Sequence, residues 1–423
     1  MQRYIFLITC SFLLSNEGDI TTFKLENGLQ TIIMEKHSIP VVAVQVWYDA
    51  GSHDEWSGVR GVAHLFEHMM FRGSENYGSE EHARLINEVG GNNNAFTSDD
   101  VTVYHERLPA GELELALKLE AERMYLLKLD QNVLDTEREV VHEEYRQRTD
   151  NPIAKLFLKF RRSLYPDNHP YSETPIGIME QLDTLSVSTC QTFYDRYYAP
   201  NNASLIIVGD VQVDETRKLV ETYFGPVRIS ENLPPNPDLT IPDQKQKIIT
   251  YEKSSFDLPV TLMGYHVPSV RNPDSVPLAV LSYIISNGES SRLHKTIVRD
   301  KEMALFAGGF PFTMMGPGIF MYFAVYFPQV KDANIETEIL NIIEDIKVNG
   351  VTEKELQKAR KQMMAEKVFE KYSANSLANS LGNAEVVLGD YNLYNEEIER
   401  FNAVTAEDVK RVANTYFKEN NLS

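Results

Sequence analysis

The feature that most constrains the fold of this 423-residue chain is an internal repeat. Two groups of residues match each other in type and order: Leu185–Ser188, Tyr197-Tyr198 and Asn201-Asn202 in the first half, and Val404–Glu407, Tyr416-Phe417 and Asn420-Asn421 in the second. The offset from 185 to 404, from 197 to 416 and from 201 to 420 is 219 residues each time. A duplicated structural unit is the simplest explanation.

The spacing of apolar residues predicts an α+β fold for each half. Asn27-Gly28 is typical of a tight turn and predicts a hairpin over Phe23–Met34. Strands are expected at Val41–Tyr48, Ala95–Leu108, Ala203–Val211, Val260–Val267, Leu305–Thr313 and Ile319–Phe327. Helices are expected from about Val62 and at Ser79–Val89, Glu112–Leu127, Asn132–Gln147, Val276–Ser286 and Ser290–Lys301. The second half therefore repeats the order of the first.

Proline content indicates where one domain ends and the next begins. Five prolines between Pro226 and Pro242 predict a linker over residues 226–246, with an N-terminal domain at 20–225 and a C-terminal domain at 247–423. In the first half Asn202 leads into a strand, whereas the matching Asn421 is followed only by Leu422-Ser423. We therefore expect the second domain to lack its last strand or to obtain it otherwise, and the sequence to be truncated.

Charge and cysteine content restrict the possible partners and metals. The formal net charge is −20, and an acidic surface repels phosphate, so we expect no nucleic acid partner. Attraction of basic peptides is possible in principle, but most acidic surfaces serve solubility. Cys10 and Cys190 are too few for a disulfide framework and form no C-x-x-C pair. Any metal must therefore be held by histidine and carboxylate.

Residues 1–19 resemble a secretory signal. The apolar run Tyr4–Ser15 follows one positive charge and is too short to span a bilayer. Export to a bacterial periplasm or cell envelope is expected, with cleavage or lipidation at Cys10 left open; the alternative is a frayed tail. The remainder of the sequence predicts no transmembrane span.

The motif His64-Leu65-Phe66-Glu67-His68 carries the chemistry. Residues four apart lie on one face of a helix, so both imidazoles can reach one Zn²⁺. Glu67 projects to the same side and can take a proton from water at the metal. The alternative is a helix with two histidines by chance, because so short a pattern also arises at random.

Zinc needs a third protein ligand and an open position for water. The segment Glu137–Tyr145 offers the best candidates. Helical phase puts Glu137, Val140, Val141 and Glu144 on a common buried face, and Glu139, Glu143 and Arg146 on the other side. A buried carboxylate needs a partner, and a metal is a good one. Phase alone leaves both Glu137 and Glu144 open.

Three motifs together resemble the pitrilysin/insulinase family of zinc peptidases: the inverted H-x-x-E-H, the segment E-R-x-V-V-x-E-E and the stretch G-G-x-x-N-A-F-T-S between them. The two-domain size is similar to that of mitochondrial processing peptidase subunits and their bacterial relatives. The resemblance implies two homologous domains, each an antiparallel sheet flanked by helices. It implies one Zn²⁺ per chain, held by His64, His68 and Glu144. It also implies that Glu67 is the catalytic base and that Glu137 is a second catalytic acidic residue that supports the site.

The same resemblance implies how a peptide substrate binds. Asn94 and Ala95 match edge-strand positions that contact the substrate backbone, which pairs with this strand. The family's second domain usually offers an Arg and a Tyr seven residues apart; here Arg299 is present but Phe306 replaces the tyrosine. Because phenylalanine has no hydroxyl, we expect a homologous zinc-less partner that carries the Arg/Tyr pair, or a homodimer. The alternatives are an ordinary edge strand and a surface charge at Arg299.

The expected function is that of a zinc-dependent endopeptidase acting on peptides or unfolded polypeptides. The alternative is a non-catalytic scaffolding or processing-complex subunit of the same fold, which the intact ligands and base argue against. A mitochondrial presequence-processing subunit would need an Arg-rich amphipathic transit peptide, and Met1–Ser15 is not one.

Overall fold

The computed structural model describes residues 18–253 and 256–423. Nearly all of the predicted signal-like segment, residues 1–19, lies outside the described residues, so it stays a prediction. The strands in the described ranges are β1 (Ile20–Lys24), β2 (Gln30–Glu35), β3 (Val41–Tyr48), β4 (Asn92–Thr97), β5 (Thr102–Pro109), β6 (Ala203–Gly209), β7 (Val260–Val267), β8 (Ala304–Phe312) and β9 (Gly318–Tyr326).

The α-helices in the same ranges are α1 (Val62–Met69), α2 (Glu81–Glu88), α3 (Leu113–Tyr125), α4 (Gln131–Asp150), α5 (Pro152–Leu164), α6 (Met179–Leu182), α7 (Val187–Tyr197), α8 (Val213–Phe224), α9 (Ser275–Ser286), α10 (Asp332–Asn349), α11 (Glu353–Glu370), α12 (Ala374–Gly382), α13 (Leu393–Ala403) and α14 (Ala406–Tyr416). Two segments, His294–Asp300 and Asn383–Leu388, are π-helical.

Residues 226–246, the predicted linker, carry no helix or strand. The domain limits themselves stay a prediction.

The first half forms a sheet of strand order β1-β2-β6-β3-β5-β4. Neighbouring strands are antiparallel except β2 and β6, which are parallel. β3 and β6 are almost entirely buried and lie in the centre, because such continuous apolar runs need cover on both faces. β4 is an edge strand that pairs with β5.

Helices from both halves cover this sheet. One face packs against α1, α3 and α7, and the other packs against α12 from the second half. Leu377 and Leu381 of α12 pack in one cluster with Trp47 and Ile206. Gly382 lies so close to the Trp47 ring that a Cβ there would come within 2.2 Å of it. A helix of the second half therefore covers one face of the first sheet.

The second half forms an antiparallel sheet of order β7-β9-β8. Helices α9, α10 and α14 pack against it through residues such as Leu281, Ile339 and Val409. Leu422 pairs with Tyr265 on β7 as an isolated bridge. The predicted α+β fold class, with sheets flanked by helices, is confirmed. The expectation that each sheet is antiparallel holds for the second sheet, but the first contains one parallel pair, because the chain returns from the first half's helices to place β6 beside β2.

The two halves repeat the same local contacts at the offset found in the sequence. Helix α14 begins and ends 219 residues after α7. Asn202 donates from Nδ2 to the carbonyl oxygens of Asp49 and Tyr197, each at 2.9 Å. Asn421 donates in the same way to the carbonyl of Tyr416 at 2.7 Å and to that of a β7 residue at 3.0 Å. Each asparagine ties the end of its helix to a sheet, at the residue directly after β3 in the first half and within β7 in the second.

The single strand predicted over Ala95–Leu108 is wrong, because this segment contains the β4–β5 hairpin with a turn at residues 98–101. Ser98 closes the turn. Its Oγ accepts hydrogen bonds from the N–H groups of Asp100 at 3.2 Å and Val101 at 3.0 Å. A serine that satisfies the turn's own backbone groups is a weak signal in an otherwise alternating segment.

His53 is buried beside this turn. Its Nδ1 lies 2.7 Å from the carbonyl oxygen of Asp99, and the carboxylates of Asp54 and Asp100 each lie 3.3 Å from a ring nitrogen. Burial disfavours the charged imidazolium, but the bond to Asp100 and the charge of Asp54 outweigh burial and raise the pKa of His53 to about 9. As the pH rises, the folded protein therefore keeps a proton on His53 at pH values at which the unfolded chain has already released it.

We predict that the protein loses stability as the pH rises from about 6.5 to about 9. The stabilisation from charged His53 is fully present below its unfolded pKa of 6.5 and is lost as the pH passes its folded pKa of about 9. Urea denaturation at closely spaced pH values measures the free energy of unfolding across this window. His53→Gln should flatten the slope, and an equal slope in the variant would contradict the assignment.

Candidate metal centre

Helix α1 is anchored so that its motif residues face one side. Val62, Leu65 and Met69 are fully buried against the first sheet. Gly61, which precedes the helix, has a φ of 102°, and a Cβ there would come within 2.8 Å of the carbonyl oxygen of Ile176. Only glycine allows the helix to begin this close to that loop. The direction of the three motif side chains is thereby fixed.

Helix α4 packs against α1 and brings two carboxylates to it. Glu137 is completely buried, and Glu144, about two helical turns further along, is partly buried. Val141 is buried between them as the helical phase predicts. Helical phase predicts the same buried face for Val140, but this residue is 39% exposed, because it borders an open cavity instead of the core.

The predicted ligand atoms have the spacing of a metal site. Nε2 of His64 lies 3.4 Å from Oε2 of Glu144, and Nε2 of His68 lies 3.6 Å from the same oxygen. Two atoms bound tetrahedrally to zinc at about 2.0–2.1 Å are about 3.4 Å apart. The distances are longer than good hydrogen bonds and match ligands arranged around one shared ion. The donor set of two imidazoles and one carboxylate fits zinc.

The electrostatics of these residues favour a cation. Burial lowers the pKa of His64 to about 4, so its imidazole is neutral and can offer a lone pair. Contact with His68 lowers the pKa of Glu144 to about 2, so this carboxylate is ionised. Burial disfavours the charged form of His68, but Glu137 and Glu144 outweigh it and raise the pKa of His68 to about 9. The carboxylates of Glu137 and Glu144 therefore stabilise positive charge beside a neutral His64.

Glu137 stands behind His68. Its Oε2 lies 3.5 Å from Nδ1 of His68, and its Oε1 lies 2.7 Å from Nε of Arg72. A carboxylate at the second ring nitrogen orients a metal-binding imidazole. Arg148 binds Oε1 of Glu144 and leaves Oε2 directed at the histidines. Glu137 therefore lies where it can orient a ligand, whereas Glu144 lies where it can be a ligand. Helical phase alone does not distinguish the two residues.

Glu67 faces the same cavity and is held by the edge strand. Thr97, the last residue of β4, donates from Oγ1 to Oε2 of Glu67 at 2.6 Å. Burial raises the pKa of Glu67, which makes it a better proton acceptor. The sequence assigns Thr97 no role, although it stands in the N-A-F-T-S stretch. A hydroxyl two residues after the edge-strand Ala95 is the signal that could have identified it.

An open cavity of about 710 Å³ leads to these side chains. Ala95, Phe96 and Thr97 of β4 line one side, and α4 lines another. Asn94 lies on the same strand, where its Oδ1 accepts a hydrogen bond from the N–H of Ala95 at 2.9 Å. In the described part of the chain, β4 has a neighbour on one side only, so an extended peptide has room to lie along its other edge.

Arg299 is not brought to this cavity. Its side chain is 55% exposed, and its Nε contacts Asp300 at 2.8 Å. Phe306 is 54% exposed on β8 and packs against the Phe323 ring. The substrate-binding role of Arg299 therefore stays a prediction, and neither residue contributes a donor to the site in this arrangement.

A second cluster, His82 with Glu106 and Glu120, is fully buried and has a different geometry. Nε2 of His82 lies 2.6 Å from Oε1 of Glu106, which is a direct hydrogen bond. Ligands of one ion would be about 3.4 Å apart, so this pair is too close to share a metal. Arg123 donates from Nε to Glu120 at 2.8 Å and already supplies a positive charge. The cluster is an internal hydrogen-bond network.

Two protein-family models match this chain. The model for the insulinase family (peptidase family M16) matches residues 30–174, and that for the peptidase M16 inactive domain matches residues 184–363. The zinc protease PqqE of Helicobacter pylori is 31% identical over 93% of this chain and 89% of that protein. The uncharacterized zinc protease YmxG of Bacillus subtilis is 26% identical over 95% of this chain and 96% of that protein.

Solved structures show the same fold. A protease from Helicobacter pylori has a TM-score of 0.90 at 30% identity, covering 96% of this chain and 98% of that chain. The periplasmic protease PqqL from Escherichia coli has a TM-score of 0.76 at 18% identity, covering 96% of this chain and 47% of that chain. Because the family models match both halves and the Helicobacter relative is similar along most of its length, this chain belongs to the insulinase family, peptidase family M16.

Proposed function

We propose that this chain is a zinc-dependent endopeptidase that hydrolyses peptides or unfolded polypeptides. The observation that supports the proposal is the spacing of the ligand atoms of His64, His68 and Glu144, which suits one shared zinc ion. Relatives named zinc proteases support the same class of activity. The non-catalytic scaffold is not favoured, because a scaffold needs neither this donor set nor a base at the same cavity.

Different residues of the chain would have different roles in hydrolysis. When bound, zinc supplies a Lewis acid that lowers the pKa of water and polarises a carbonyl. Glu67 accepts a proton from the attacking water and delivers it to the leaving amine nitrogen. Thr97 keeps one oxygen of Glu67 engaged at 2.6 Å, which leaves the other for the proton. Glu137 orients His68 from behind.

The substrate would bind as an added strand along β4. A carbonyl oxygen of an extended peptide would replace Oδ1 of Asn94 as the acceptor for the N–H of Ala95. The peptide would then lie beside the zinc ligands. Recognition through main-chain groups suits unfolded segments, because folded proteins seldom present a free extended strand. This favours peptides and unfolded polypeptides over folded ones.

A partner would supply the missing donors. Arg299 lies outside the cavity and Phe306 has no hydroxyl, so the Arg/Tyr pair would come from a homologous zinc-less subunit, or from a second copy in another arrangement. Export would place the enzyme in the periplasm or cell envelope; one structural neighbour is a periplasmic protease, and helices in the described residues are too short or too polar to cross a bilayer.

The first test combines zinc analysis with peptide hydrolysis. We predict about one zinc per chain, and a rate of hydrolysis for Glu67→Gln lowered by roughly 10²–10⁴-fold with zinc retained, because the base is lost and the ligands are intact. His64→Ala should lose both zinc and hydrolysis. Full hydrolysis by Glu67→Gln, or a wild type that shows no zinc-dependent hydrolysis even with a homologous subunit present, would refute the assignment.

The second test concerns Glu137. Glu137→Gln should weaken zinc binding by roughly 10–100-fold, because the side chain that orients His68 loses its charge. Glu139→Gln, exposed on the same helix, is the matched control and should bind zinc as the wild type does. Competition with a chelator of known affinity measures both. Equal zinc affinity in the two variants would show that Glu137 does not support the ligand.

The third test concerns the partner. We predict that the purified chain alone hydrolyses an unfolded polypeptide roughly 10²–10³-fold more slowly than with a homologous subunit that carries the Arg/Tyr pair, because carbonyl donors are absent. A partner with that tyrosine changed to phenylalanine should restore less activity. Full activity from a chain shown to be monomeric would exclude the need for a partner.

A further inference from the structure

The β4–β5 turn, residues 98–101, connects the candidate active site to the second sheet. It directly follows Thr97, whose hydroxyl holds Glu67. We propose that Asp100 and Tyr171 are positioning residues that brace this turn against the β8–β9 turn, residues 313–317, and so fix the edge strand beside the base. The inference rests on the proposed peptidase function and adds to it two residues that do not touch zinc or substrate.

The brace consists of one carboxylate and one hydroxyl. The hydroxyl of Tyr171 donates to Oδ1 of Asp100 at 2.5 Å and accepts from the N–H of Gly316 at 2.9 Å. Oδ2 of Asp100 accepts from the N–H of Met315 at 2.9 Å. Asp100 is 6% exposed and Tyr171 is fully buried, so a broken bond here would leave a polar group without water. The two turns are therefore held at a fixed separation.

The neighbouring residue Asp99 is held by hydrogen bonds to residues outside the brace. Arg161 binds both of its carboxylate oxygens, and Ser52 donates to Oδ1 at 3.2 Å. Arg161 also donates from Nε to the carbonyl oxygen of Tyr171 at 2.8 Å. Gly51 lies so close to the turn that a Cβ there would come within 2.3 Å of the Asp99 carbonyl oxygen. The turn is thus fixed by elements on both sides of the brace.

The brace borders the space next to the metal cavity. A second cavity, of about 760 Å³, is lined by the turn on one side and by Phe312 and Met314 on the other. It shares Phe96, Arg148 and Pro175 with the metal cavity, so the two form a continuous cleft. A fixed distance between the two turns therefore sets the width of the cleft along which a bound polypeptide would extend.

The decisive experiment is a double-mutant cycle between Tyr171→Phe and Thr97→Val. Tyr171→Phe should lower kcat roughly tenfold or more with zinc retained, because small displacements of reacting groups are costly. Once Thr97→Val has released Glu67, the same change should cost less, so the two effects should not multiply. Asp100→Asn is the second variant, and should behave as Tyr171→Phe does.

Tyr194→Phe is the matched control. Like the Tyr171 hydroxyl, its buried hydroxyl donates one hydrogen bond and accepts another: it donates to the carbonyl oxygen of Arg123 at 2.8 Å and accepts from the N–H of Leu127 at 3.3 Å, but it lies away from the turn. This variant should keep the wild-type kcat. Independent effects of Tyr171→Phe and Thr97→Val, or an equal loss of kcat in Tyr194→Phe, would overturn the positioning role.

Hydrogen exchange separates failure of the brace from failure of the proposed function. In Tyr171→Phe, the amides of Met315 and Gly316 and those of the β4–β5 turn should exchange faster than in the wild type, whether or not the protein hydrolyses peptides. The Tyr194→Phe control should leave those amides unchanged. Wild-type exchange at the β4–β5 turn in Tyr171→Phe would overturn the brace itself, whereas an inactive wild type with the expected exchange would count against the peptidase proposal alone.

Discussion

The packing of α1 against α4 is the contact on which the candidate site depends. Two imidazoles one helical turn apart can only offer two ligands, and the third must come from another element. The buried side of α4 places Glu144 with its Oε2 3.4 Å and 3.6 Å from the two histidine nitrogens. Glu137, on the same side of α4, reaches the other nitrogen of His68. One helix pair therefore supplies the ligands and the group that orients one of them.

Hydrolysis also requires a base and a bound substrate, and the edge strand β4 lies next to the positions of both. Thr97 at the end of the strand holds Glu67, and Ala95 lines the cavity at the metal ligands. A peptide paired along this strand would be aligned with the base by the same strand whose Thr97 side chain holds the base. Positioning of this kind is a large part of catalysis, because it replaces random encounters with a fixed geometry.

Some of this arrangement is predictable from the sequence because it depends on local periodicity. The helical phase of His64 and His68 and of Glu137 and Glu144 places each pair on one face, and the 219-residue repeat predicts related halves, in which α7 and α14 recur at that offset. Only the resemblance to a known family distinguishes Glu144 from Glu137 as the ligand, because both lie on the same helical face. The structure separates them by reach, since Glu144 approaches both histidines at Nε2 while Glu137 stands behind one of them.

Other features depend on tertiary contacts that leave little trace in the sequence. Val140 has the phase of a core residue but borders an open cavity, and the β4–β5 turn is hidden in a segment that alternates like one strand. The cover of the first sheet by α12 joins residues more than three hundred positions apart, such as Trp47 and Gly382. The link from Thr97 to Glu67 likewise requires the sheet and α1 to be in place together.

The measurement that tests the central claim most directly is zinc K-edge X-ray absorption on the purified chain. We predict a shell of nitrogen and oxygen at about 2.0–2.1 Å that includes two imidazoles, with no sulfur at about 2.3 Å. In Glu144→Ala the number of protein ligands should fall by one or the zinc should be lost. Absence of stoichiometric zinc, or an unchanged ligand shell in that variant, would contradict the assignment of His64, His68 and Glu144 to one ion.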